Sequence, residues 1–584
     1  MEMEDKYKNV VLGCQNCKTS FIIESEDFAF YEKIKVPPPT FCPVCSHQRR
    51  FAWRNTHALY HRPDSISGKN VISIYHPDTK MNIVDQKYWW SDEWDPLDYG
   101  KEFDFSRNFF EQWKELRDTI PFQSLSNSKA VNSDYCNVAE ESSDCYLISA
   151  SWKNERVMYS DSIVKIKDSL DLYVVEDSEF CYECTYCKES YQLFYSQECV
   201  ACTDSYFLYD CKGCINCFMS SGLRNKSYVF ENIQYSKEEY FKKIAEYHLE
   251  SFETIKKLKT EFHSLKQNTI RKFAIVTNSN EVSGNHIDNA FNCKNVFDVS
   301  HSVKNCKDLY WCVNNIFDCH YCNAIGSMEN AFEMNDAGVG GSFCRFSSVV
   351  YSSHEVSYSF NCYNCHDIFG CIGLKNKSYC ILNKQYTKEE YFELVEKIKS
   401  HMMDVPYIDT KGRVYKYGEF FPIELSPFAY NDTVANDFYP LDKDEILNQG
   451  YFYRSKEQKE YMPTKSFSQI PDKILEVDDT ILSDIIECDT YSVSGRCTRA
   501  FKIVPDELSF YKRFNIPLPR KCYQCRHKER FDTRNPLKLW HRACMCDVAG
   551  HDHDGECTNE FETSYAPERP EKIYCESCYQ KEVL

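Results

Sequence analysis

The sequence predicts a multidomain, mainly β protein. In it, two β-solenoid-like repeats rich in Cys and aromatic residues lie between Cys-rich ribbon modules, with a few connecting helices. Three observations predict this fold class. Cysteine pairs separated by two residues occur near both ends, a segment near the N-terminus recurs 480 residues later, and two central blocks align at an offset of 151 residues.

Composition and charge exclude some kinds of protein. The chain has 584 residues, 33 of them cysteines, and a formal net charge of −19, which argues against a protein that coats nucleic acid along its whole length. The N-terminus lacks the pattern of a signal peptide and no apolar run approaches a membrane span, so we expect a cytoplasmic protein with no membrane partner. Disulfides are rare in a reducing cytosol, which leaves free thiols and metal ligands as roles for the cysteines.

Residues 1–62 are predicted to form a zinc ribbon. Cys14 and Cys17 form one CxxC pair, and Cys42 and Cys45 form the next. Two such pairs supply the four thiolates of a tetrahedral zinc site. Because protein ligands fill all four positions, none is open to water, and we expect a structural ion.

Residues 63–123 are predicted to be an aromatic-rich connector and an amphipathic helix that is closed by Pro121. We expect Trp89, Trp90 and Trp94 to pack the zinc module onto the solenoid.

Residues 124–235 and 283–386 are predicted to be two copies of one β-solenoid-like repeat. Short phrases that alternate small or Cys positions with apolar ones recur in both, as in stacked strands. Each copy has ten cysteines, which suit a packed interior because Cys is small and often buried. The triples CYECTYC (181–187) and CKGCINC (211–217) keep an alternative open, namely further zinc or an iron–sulfur cluster.

Helices are predicted after each repeat. A hydroxyl residue followed three positions later by Glu, the spacing of a capping box, occurs at Ser236 and at Thr387. Residues 236–282 are therefore assigned to a helical linker, and residues 387–487 to a helix and an irregular connector.

Residues 488–542 are predicted to form a second zinc ribbon. The first ribbon recurs here without gaps, except that Ser494 stands where Cys14 would be matched, and Cys488 is the nearest cysteine that can replace it. The predicted ligands of a second zinc ion are Cys488, Cys497, Cys522 and Cys525.

Residues 543–584 are predicted to hold a third zinc site, which brings the expected total to about three structural ions. Its clear ligands are Cys557, Cys575 and Cys578. For the fourth ligand we favour Cys546, because it leaves a loop like that of a ribbon knuckle. His553 is the alternative, since zinc also accepts imidazole.

Basic residues cluster in the ribbons. From Cys497 to Arg542 the chain has twelve Lys or Arg residues and four acids, a net charge of +8. Such clusters beside aromatic residues can contact phosphates and stack on bases. The predicted nucleic-acid-binding residues are Arg49, Arg50, Arg54, Arg526, Lys528, Arg530 and Arg534. Alternatively, these arginines cap carbonyls and offset the negative charge of a four-thiolate zinc site.

Both ends of the chain resemble a known family. The opening CxxC…FYEKIKVPPPTFCPVCSHQRR and the ending CTNEFETSYAPERPEKIYCESCYQKEV are similar to the zinc-ribbon proteins of candidate-phyla-radiation (Patescibacteria) bacteria. The resemblance implies bound zinc and a cytoplasmic bacterial setting, and it implies no reaction or substrate. Ser494 and the undecided ligand of the third site depart from the ribbon pattern.

The sequence singles out no catalytic residue. The patterns GxxxxGK[ST], GxGxxG, HExxH and GxSxG do not occur. We therefore predict a non-catalytic zinc protein whose basic ribbons bind RNA or a ribonucleoprotein such as the ribosome. One alternative is a protein-interaction scaffold that forms homo-oligomers through the β-repeat surface. The other is a metal or redox enzyme, which would need an open metal position or a redox cluster.

Overall fold

The computed structural model describes residues 8–455, 462–490, 496–551 and 553–583. Strands make up 34% and helices 24% of the structure, so the predicted mainly β class is confirmed. Ser494, where the second ribbon was predicted to have lost a ligand, lies outside the described residues. The architecture consists of two stacks of parallel strands with small modules packed on them.

Twelve α-helices occur within the described residues. They are α1 (Ser25–Ile34), α2 (Pro43–Phe51), α3 (Gln86–Trp90), α4 (Phe109–Thr119), α5 (Lys237–Ala245), α6 (Phe252–Asn268), α7 (Lys388–Asp404), α8 (Val434–Phe438), α9 (Lys443–Asn448), α10 (Pro505–Phe514), α11 (Tyr523–Phe531) and α12 (Glu576–Val583). Both predicted capping boxes are present, at Ser236 before α5 and at Thr387 before α7. None of the helices in these described ranges is long and apolar enough to cross a membrane.

Short strand pairs form the N-terminal part of the chain. Its strands are β1 (Val10–Gly13), β2 (Ser20–Ile23), β3 (Tyr60–Pro63), β4 (Asn70–Ser73), β5 (Asn82–Val84) and β6 (Pro121–Gln123). β1 pairs with β2 and β3 with β4 in antiparallel hairpins, whereas β5 pairs with β6 in parallel.

The first stack (residues 128–234) is built from short strands, nearly all of them parallel. They are β7 (Asn137–Glu140), β8 (Ser149–Trp152), β9 (Glu155–Met158), β10 (Asp161–Val164), β11 (Lys167–Leu170), β12 (Tyr173–Glu176), β13 (Thr185–Lys188), β14 (Tyr191–Phe194), β15 (Thr203–Tyr209), β16 (Ile215–Ser221), β17 (Ser227–Phe230) and β18 (Ile233–Gln234). Residues pair with those twelve positions later, so that Ser149 pairs with Asp161 and Asp161 with Tyr173. Each layer of the stack therefore takes twelve residues.

The interior of the first stack repeats every third residue, whereas the sequence phrases suggested every second. Cys181, Cys184 and Cys187 occupy three successive interior positions, and all are buried. The residues just before them turn the backbone through the left-handed region, with φ of 54° at Phe180 and 50° at Glu183. Such a turn recurs every three residues. A layer of twelve residues therefore has four sides of three residues each.

The chain then passes through β19 (Arg271–Lys272) into the second stack (residues 276–385). Its strands are β20 (Val276–Thr277), β21 (Asn280–Asp288), β22 (Ala290–Ser300), β23 (Val303–Phe317), β24 (His320–Glu329), β25 (Phe332–Tyr351), β26 (His354–Ser357), β27 (Phe360–Tyr363), β28 (His366–Phe369), β29 (Ser378–Ile381) and β30 (Lys384–Gln385). Some layers take thirteen residues, as where Ala290 pairs with Val303. The additional residue lies where two consecutive residues are left-handed, such as His301 and Ser302, with φ of 62° and 74°.

The remaining strands belong to the connector and the C-terminal modules. They are β31 (Tyr407–Ile408), β32 (Val414–Tyr415), β33 (Ile486–Glu487), β34 (Ala500–Phe501), β35 (Trp540–Ala543), β36 (Glu560–Thr563) and β37 (Ile573–Tyr574). β37 pairs in parallel with β19, which precedes the second stack, just as β5 pairs with β6 ahead of the first stack. A short parallel strand pair thus precedes each stack, and the one ahead of the second stack includes a strand of the C-terminal module.

Candidate metal centres and the modules that carry them

Three groups of four cysteines bring their sulfur atoms together. Within each group, all Sγ atoms lie within 4.8 Å of one another. The first tetrad is Cys14, Cys17, Cys42 and Cys45; the second is Cys488, Cys497, Cys522 and Cys525; and the third is Cys544, Cys557, Cys575 and Cys578. The first two contain the ligands expected from the spacing.

The separations of the sulfur atoms fit a tetrahedral zinc ion. With zinc–sulfur bonds of about 2.3 Å, ligand sulfur atoms lie about 3.8 Å apart. The measured Sγ–Sγ distances are 3.7 Å between Cys17 and Cys42, 3.9 Å between Cys488 and Cys525, and 4.0 Å between Cys557 and Cys575. A metal ion of zinc size could therefore enter each tetrad with little movement of its ligands.

Helix starts position the second cysteine pair of each ribbon. α2 begins directly after Cys42, and α11 begins directly after Cys522. The positive end of the helix dipole and its free N–H groups favour a thiolate at such a position. Pro43, whose fixed φ suits the first helical residue and which has no N–H, starts α2.

The same backbone contact marks the first ligand of both ribbons. The N–H of Cys42 donates to Sγ of Cys14 at 3.3 Å, and the N–H of Cys522 donates to Sγ of Cys488 at 3.2 Å. Cys488 is held beside the β33–β34 pair, since its own N–H donates to the carbonyl of Arg499 at 2.9 Å. Cys488 thus takes the place that Cys14 has in the first ribbon.

The third tetrad contains Cys544, whereas the sequence favoured Cys546. The N–H of Cys575 donates to Sγ of Cys544 at 3.2 Å, which repeats the contact seen at Cys14 and Cys488. Only one residue separates the two candidate cysteines, so spacing alone could not choose between them.

A fourth group of ligand atoms adjoins the third tetrad. Cys546, His551, His553 and Cys578 also have their ligand atoms within 4.8 Å of one another, and Cys578 belongs to both groups. The predicted ligands Cys546 and His553 therefore lie beside the third tetrad rather than within it.

Contact between thiols perturbs the titration of the first tetrad. Hydrogen bonding with Cys14 raises the pKa of Cys42 to about 12, and bonding with Cys42 lowers the pKa of Cys14 below its ordinary range. When one thiol ionises, its neighbours are therefore held in the protonated form. Ionisation of all four requires a cation among them, and a divalent metal would supply that charge.

Residues 60–90 repeat the backbone of the C-terminal module (540–583) without its cysteines. The hairpin of β3 and β4 corresponds to that of β35 and β36. Asp64 stands 480 residues before Cys544, and its carboxylate accepts the N–H of Asp85 at 2.5 Å, as Cys544 does from Cys575. A hydrogen-bonded carboxylate thus replaces the ligand thiol in this copy.

The central cysteines are packed in the stacks. All twenty are buried, and nearly all of them donate to backbone carbonyls; Cys184 Sγ, for example, lies 3.2 Å from the carbonyl oxygen of Leu193. Burial raises the pKa of Cys136 to about 12, which is typical of an unreactive thiol. Within the described residues, none of them belongs to a group with metal-binding spacing. The C-x2-C spacing of CYECTYC (181–187) follows from the three-residue side of a layer.

Arginines of α2 fasten the N-terminal ribbon to the second stack. Arg50 Nη1 lies 2.9 Å from Glu333 Oε2, and Arg49 lies 3.3 Å from the other oxygen of Glu333. Arg49 also pairs with Glu419 at 3.1 Å. Both arginine side chains are fully buried, so these charges are held by ion pairs inside the protein.

Arginines of α11 fasten the second ribbon to the first stack. Arg530 Nη1 lies 2.9 Å from Asp171 Oδ1, and Arg526 Nε lies 3.1 Å from the other oxygen of Asp171. Arg526 also pairs with Glu507 of α10 at 3.5 Å, while the Tyr159 hydroxyl donates to Glu507 at 2.8 Å. Asp171 itself is fully buried.

The two ribbons are therefore docked crosswise. Arg50 and Arg530 are equivalent positions of the duplicated module, since they lie 480 residues apart. Arg50 of the N-terminal ribbon binds the second stack, and Arg530 of the second ribbon binds the first stack. The acids that receive them were missed by sequence reasoning, because the sequence does not show that Asp171 and Glu333, among the many acids of the repeats, face the ribbons.

The predicted nucleic-acid-binding residues do not share an exposed surface. Arg54 is buried and lies 3.3 Å from Asp336. Arg534 is half-buried, with its guanidinium 3.9 Å from the ring centre of Phe438. The exception is Lys528, which pairs with Asp532 in solvent. The seven predicted residues are Arg49, Arg50, Arg54, Arg526, Lys528, Arg530 and Arg534, and only Lys528 is exposed.

A small cavity lies where both ribbons meet the stacks. Its volume is about 40 Å³, which is room for roughly two or three water molecules. His57 and His527 line it with ring centres 4.4 Å apart, and His57 Nε2 lies 3.2 Å from Asp161. Burial opposes the charge of Asp161, but His57 and the Ser149 hydroxyl hold its pKa well below the ordinary range.

Comparison with known proteins adds little to this description. No family model and no curated protein matches the chain. Among solved structures, the chain is similar to a protein from Desulfovibrio desulfuricans G20 that carries a provisional assignment as an acetyltransferase, at 11% identity and a TM-score of 0.10, over 49% of this chain and 86% of that one. At that TM-score the likeness supports no conclusion about fold or activity.

Proposed function

We propose that this chain is a non-catalytic zinc protein that serves as a scaffold, in which zinc-bound modules at both ends clamp two β-solenoids together. Cytoplasmic location and membership of the zinc-ribbon proteins of candidate-phyla-radiation bacteria belong to the same proposal. The first is supported by the twenty buried cysteines of the stacks, none of which forms a disulfide in the part of the chain that the structure describes, and the second by the ribbon motifs.

Zinc is the metal that the donor sets favour. Four thiolates around one ion, with sulfur separations near 3.8 Å, are typical of structural zinc. An ion surrounded by four protein ligands has no position for water or substrate. Each tetrad would therefore stabilise its module without acting on a substrate.

The β-solenoid description is supported by the register of the stacks. Parallel pairing at offsets of twelve or thirteen residues, with a turn every third residue, is what a chain wound in regular layers would give. Such a body presents long regular faces, which suits a scaffold for protein partners or for further copies of the chain.

The observation that carries the proposal is the burial of the ribbon arginines. A basic cluster that served RNA would face solvent, yet Arg49, Arg50, Arg526 and Arg530 are ion-paired with carboxylates inside the protein. The tetrads hold the helices that present these arginines. Zinc binding and the joining of the two stacks would therefore be coupled.

Metal analysis of the purified chain tests the proposal. We expect at least three zinc ions per chain and no iron. Loss of one ion is expected in Cys45→Ser and in Cys525→Ser, each of which removes one ligand. The matched control is Cys365→Ser, which removes a buried stack thiol and should leave the zinc content unchanged. A folded chain without zinc would contradict the proposal.

Limited proteolysis tests the clamp itself. After removal of zinc with a chelator, we expect cleavage within the end modules while the stacks resist, and restored protection when zinc is returned. Native mass measured over a range of protein concentrations would then report self-association. Equal resistance with and without zinc would contradict a clamping role.

RNA binding is the second candidate, and it would have to use other cations. Lys502, Lys528 and Lys538 of the second ribbon region are exposed. Reversal of their charges to Glu should abolish salt-sensitive RNA binding if this candidate is correct. Reversal of Arg526 or Arg530 would not be a fair test, because it would bury like charges beside Asp171.

A further inference from the structure

The C-terminal module has more metal donors than one ion can use. Five thiols and two imidazoles lie together, and the third tetrad accounts for four of the thiols. We infer that a second zinc ion binds between Cys546, His551, His553 and Cys578, and that the Cys578 thiolate bridges it to the ion of the third tetrad. The inference rests on the proposed zinc binding and adds a fourth ion to the chain.

The distances between donor atoms match those around one zinc ion. Zinc–sulfur bonds of about 2.3 Å and zinc–nitrogen bonds of about 2.0 Å place sulfur and nitrogen about 3.5 Å apart in a tetrahedron. Cys546 Sγ lies 3.1 Å from His551 Nδ1, and Cys578 Sγ lies 3.4 Å from His553 Nε2. All four donors can therefore reach a common centre.

Each imidazole presents the nitrogen that a metal would need. His551 Nε2 lies 3.2 Å from the Glu582 carboxylate, which leaves Nδ1 facing Cys546. His553 Nδ1 lies 2.7 Å from the carbonyl oxygen of Gly555, which leaves Nε2 facing Cys578. Metal-binding histidines usually donate their other N–H to a carboxylate or a backbone carbonyl in this way. Two independent contacts thus orient the two rings for one ion.

The number of donors completes two tetrahedra. Seven side chains with one shared thiolate give four ligands to each ion, so neither ion has an open position. With a single ion in the third tetrad, Cys546 would be a buried thiol without a metal partner, and the second ion gives it one.

The cysteine-free copy of the module also lacks these ligands. From Tyr60 to Asp64 the copy matches the C-terminal module at an offset of 480 residues, and from Asn70 onward at 490. The C-terminal module therefore has ten additional residues in this loop. His551, His553 and Cys557 all lie in the loop, so donors for both ions occur together in one copy and are missing together from the other.

Native mass spectrometry of the zinc-loaded full chain counts the ions. We expect four per chain. The double variant His551→Ala/His553→Ala leaves the third tetrad intact and should bind three, while Cys544→Ser, the matched variant in the tetrad, should also lose an ion. The His551 side chain is 7% exposed and His553 is half-buried, so circular dichroism of the double variant should be recorded to show that the module stays folded.

Cadmium-113 in place of zinc tests the bridge. Two of four cadmium signals should show mutual splitting through Cys578, and Cys546→Ser should abolish it. Three ions in the unsubstituted chain, with no loss in His551→Ala/His553→Ala, would overturn this inference and leave the proposed function intact. A chain that binds no zinc would overturn both.

Discussion

Arg530 and Asp171 form an ion pair across the contact between the second ribbon and the first stack, with 2.9 Å between Nη1 and Oδ1. Their side chains are 7% and 0% exposed. The same carboxylate lies 3.1 Å from Arg526, which also pairs with the buried Glu507 at 3.5 Å, so Asp171 contacts two buried cations from one helix. The contact between the second ribbon and the first stack should therefore depend more on Asp171 than on either arginine.

Replacement of Asp171 should therefore be costly. Asp171→Asn leaves the buried Arg530 without its carboxylate and Arg526 with Glu507 alone, and we expect a loss of about 3–5 kcal/mol in the free energy of unfolding. The control is Lys528→Ala on the same helix, which breaks an exposed pair with Asp532 and should change stability by less than about 0.5 kcal/mol. Denaturant titration of both variants gives the comparison, and equal effects would contradict the buried-pair interpretation.

Thiol accessibility should divide the cysteines into two classes. Thirteen of the 33 lie in the end modules and twenty in the stacks. With a metal chelator present, we expect the thirteen to react rapidly with a thiol reagent, because they lose the ion that holds them. The twenty should react only after the stacks unfold. Rapid reaction of all 33 on chelation would show that the stacks depend on the metal.

The contact between the two stacks should weaken as pH rises. His286 of the second stack lies 3.0 Å from Glu198 of the first and 3.3 Å from Asp298. Burial opposes its charge, but the two carboxylates outweigh this and raise its pKa to about 10. The folded-state pKa is above the unfolded value of about 6.5, so the stabilisation is complete below that pH and is lost as pH rises toward 10.

The variant His286→Gln isolates this effect. We expect the native chain to be more stable than the variant at pH 7, by an amount on the order of 3 kcal/mol, given about 1.4 kcal/mol for each pKa unit. The difference should shrink between pH 7 and pH 10. A difference that stays constant over this range would contradict the charged form of His286.

A valine in the left-handed conformation should strain the backbone, and its replacement should stabilise the protein. Val339 has φ of 56° and is 61% exposed, and a β-branched residue is poorly suited to that backbone. We expect Val339→Asn to raise the unfolding free energy by about 1 kcal/mol. Val131 is 59% exposed, and its φ is not positive, so Val131→Asn is the matched control and should give no gain. Thermal melts of both variants would check this.

The grouping of most of the terminal cysteines into tetrads was predictable from spacing. CxxC pairs identify ligands because the two sulfurs of one tight turn face the same ion, and the duplicated module pointed to Cys488. The choice between Cys544 and Cys546 was not predictable. It depends on which sulfur receives the N–H of Cys575, a contact across the module that no local pattern records.

The roles of the arginines and the period of the stacks were harder to predict. Arg526 and Arg530 look like a surface cluster in sequence, because their partner Asp171 lies in another domain. The three-residue period was obscured because aromatic residues also fill outward positions that are covered by helices, such as Tyr182 beneath α10. The conformational preferences of the residues did not reveal the turns either, because many non-glycine residues adopt the left-handed conformation at these corners.

The double corners of the second stack have a consequence for how such a chain can change in length. A side of three residues cannot accommodate a fourth without a change of register. One residue added within a side would therefore move every later cysteine away from the column of interior residues that stack in successive layers. At His301 and Ser302 an extra residue is accommodated by a second left-handed turn, and the columns continue. Natural variants of these repeats should therefore gain or lose one residue at a corner or twelve as a whole layer, and rarely any other number.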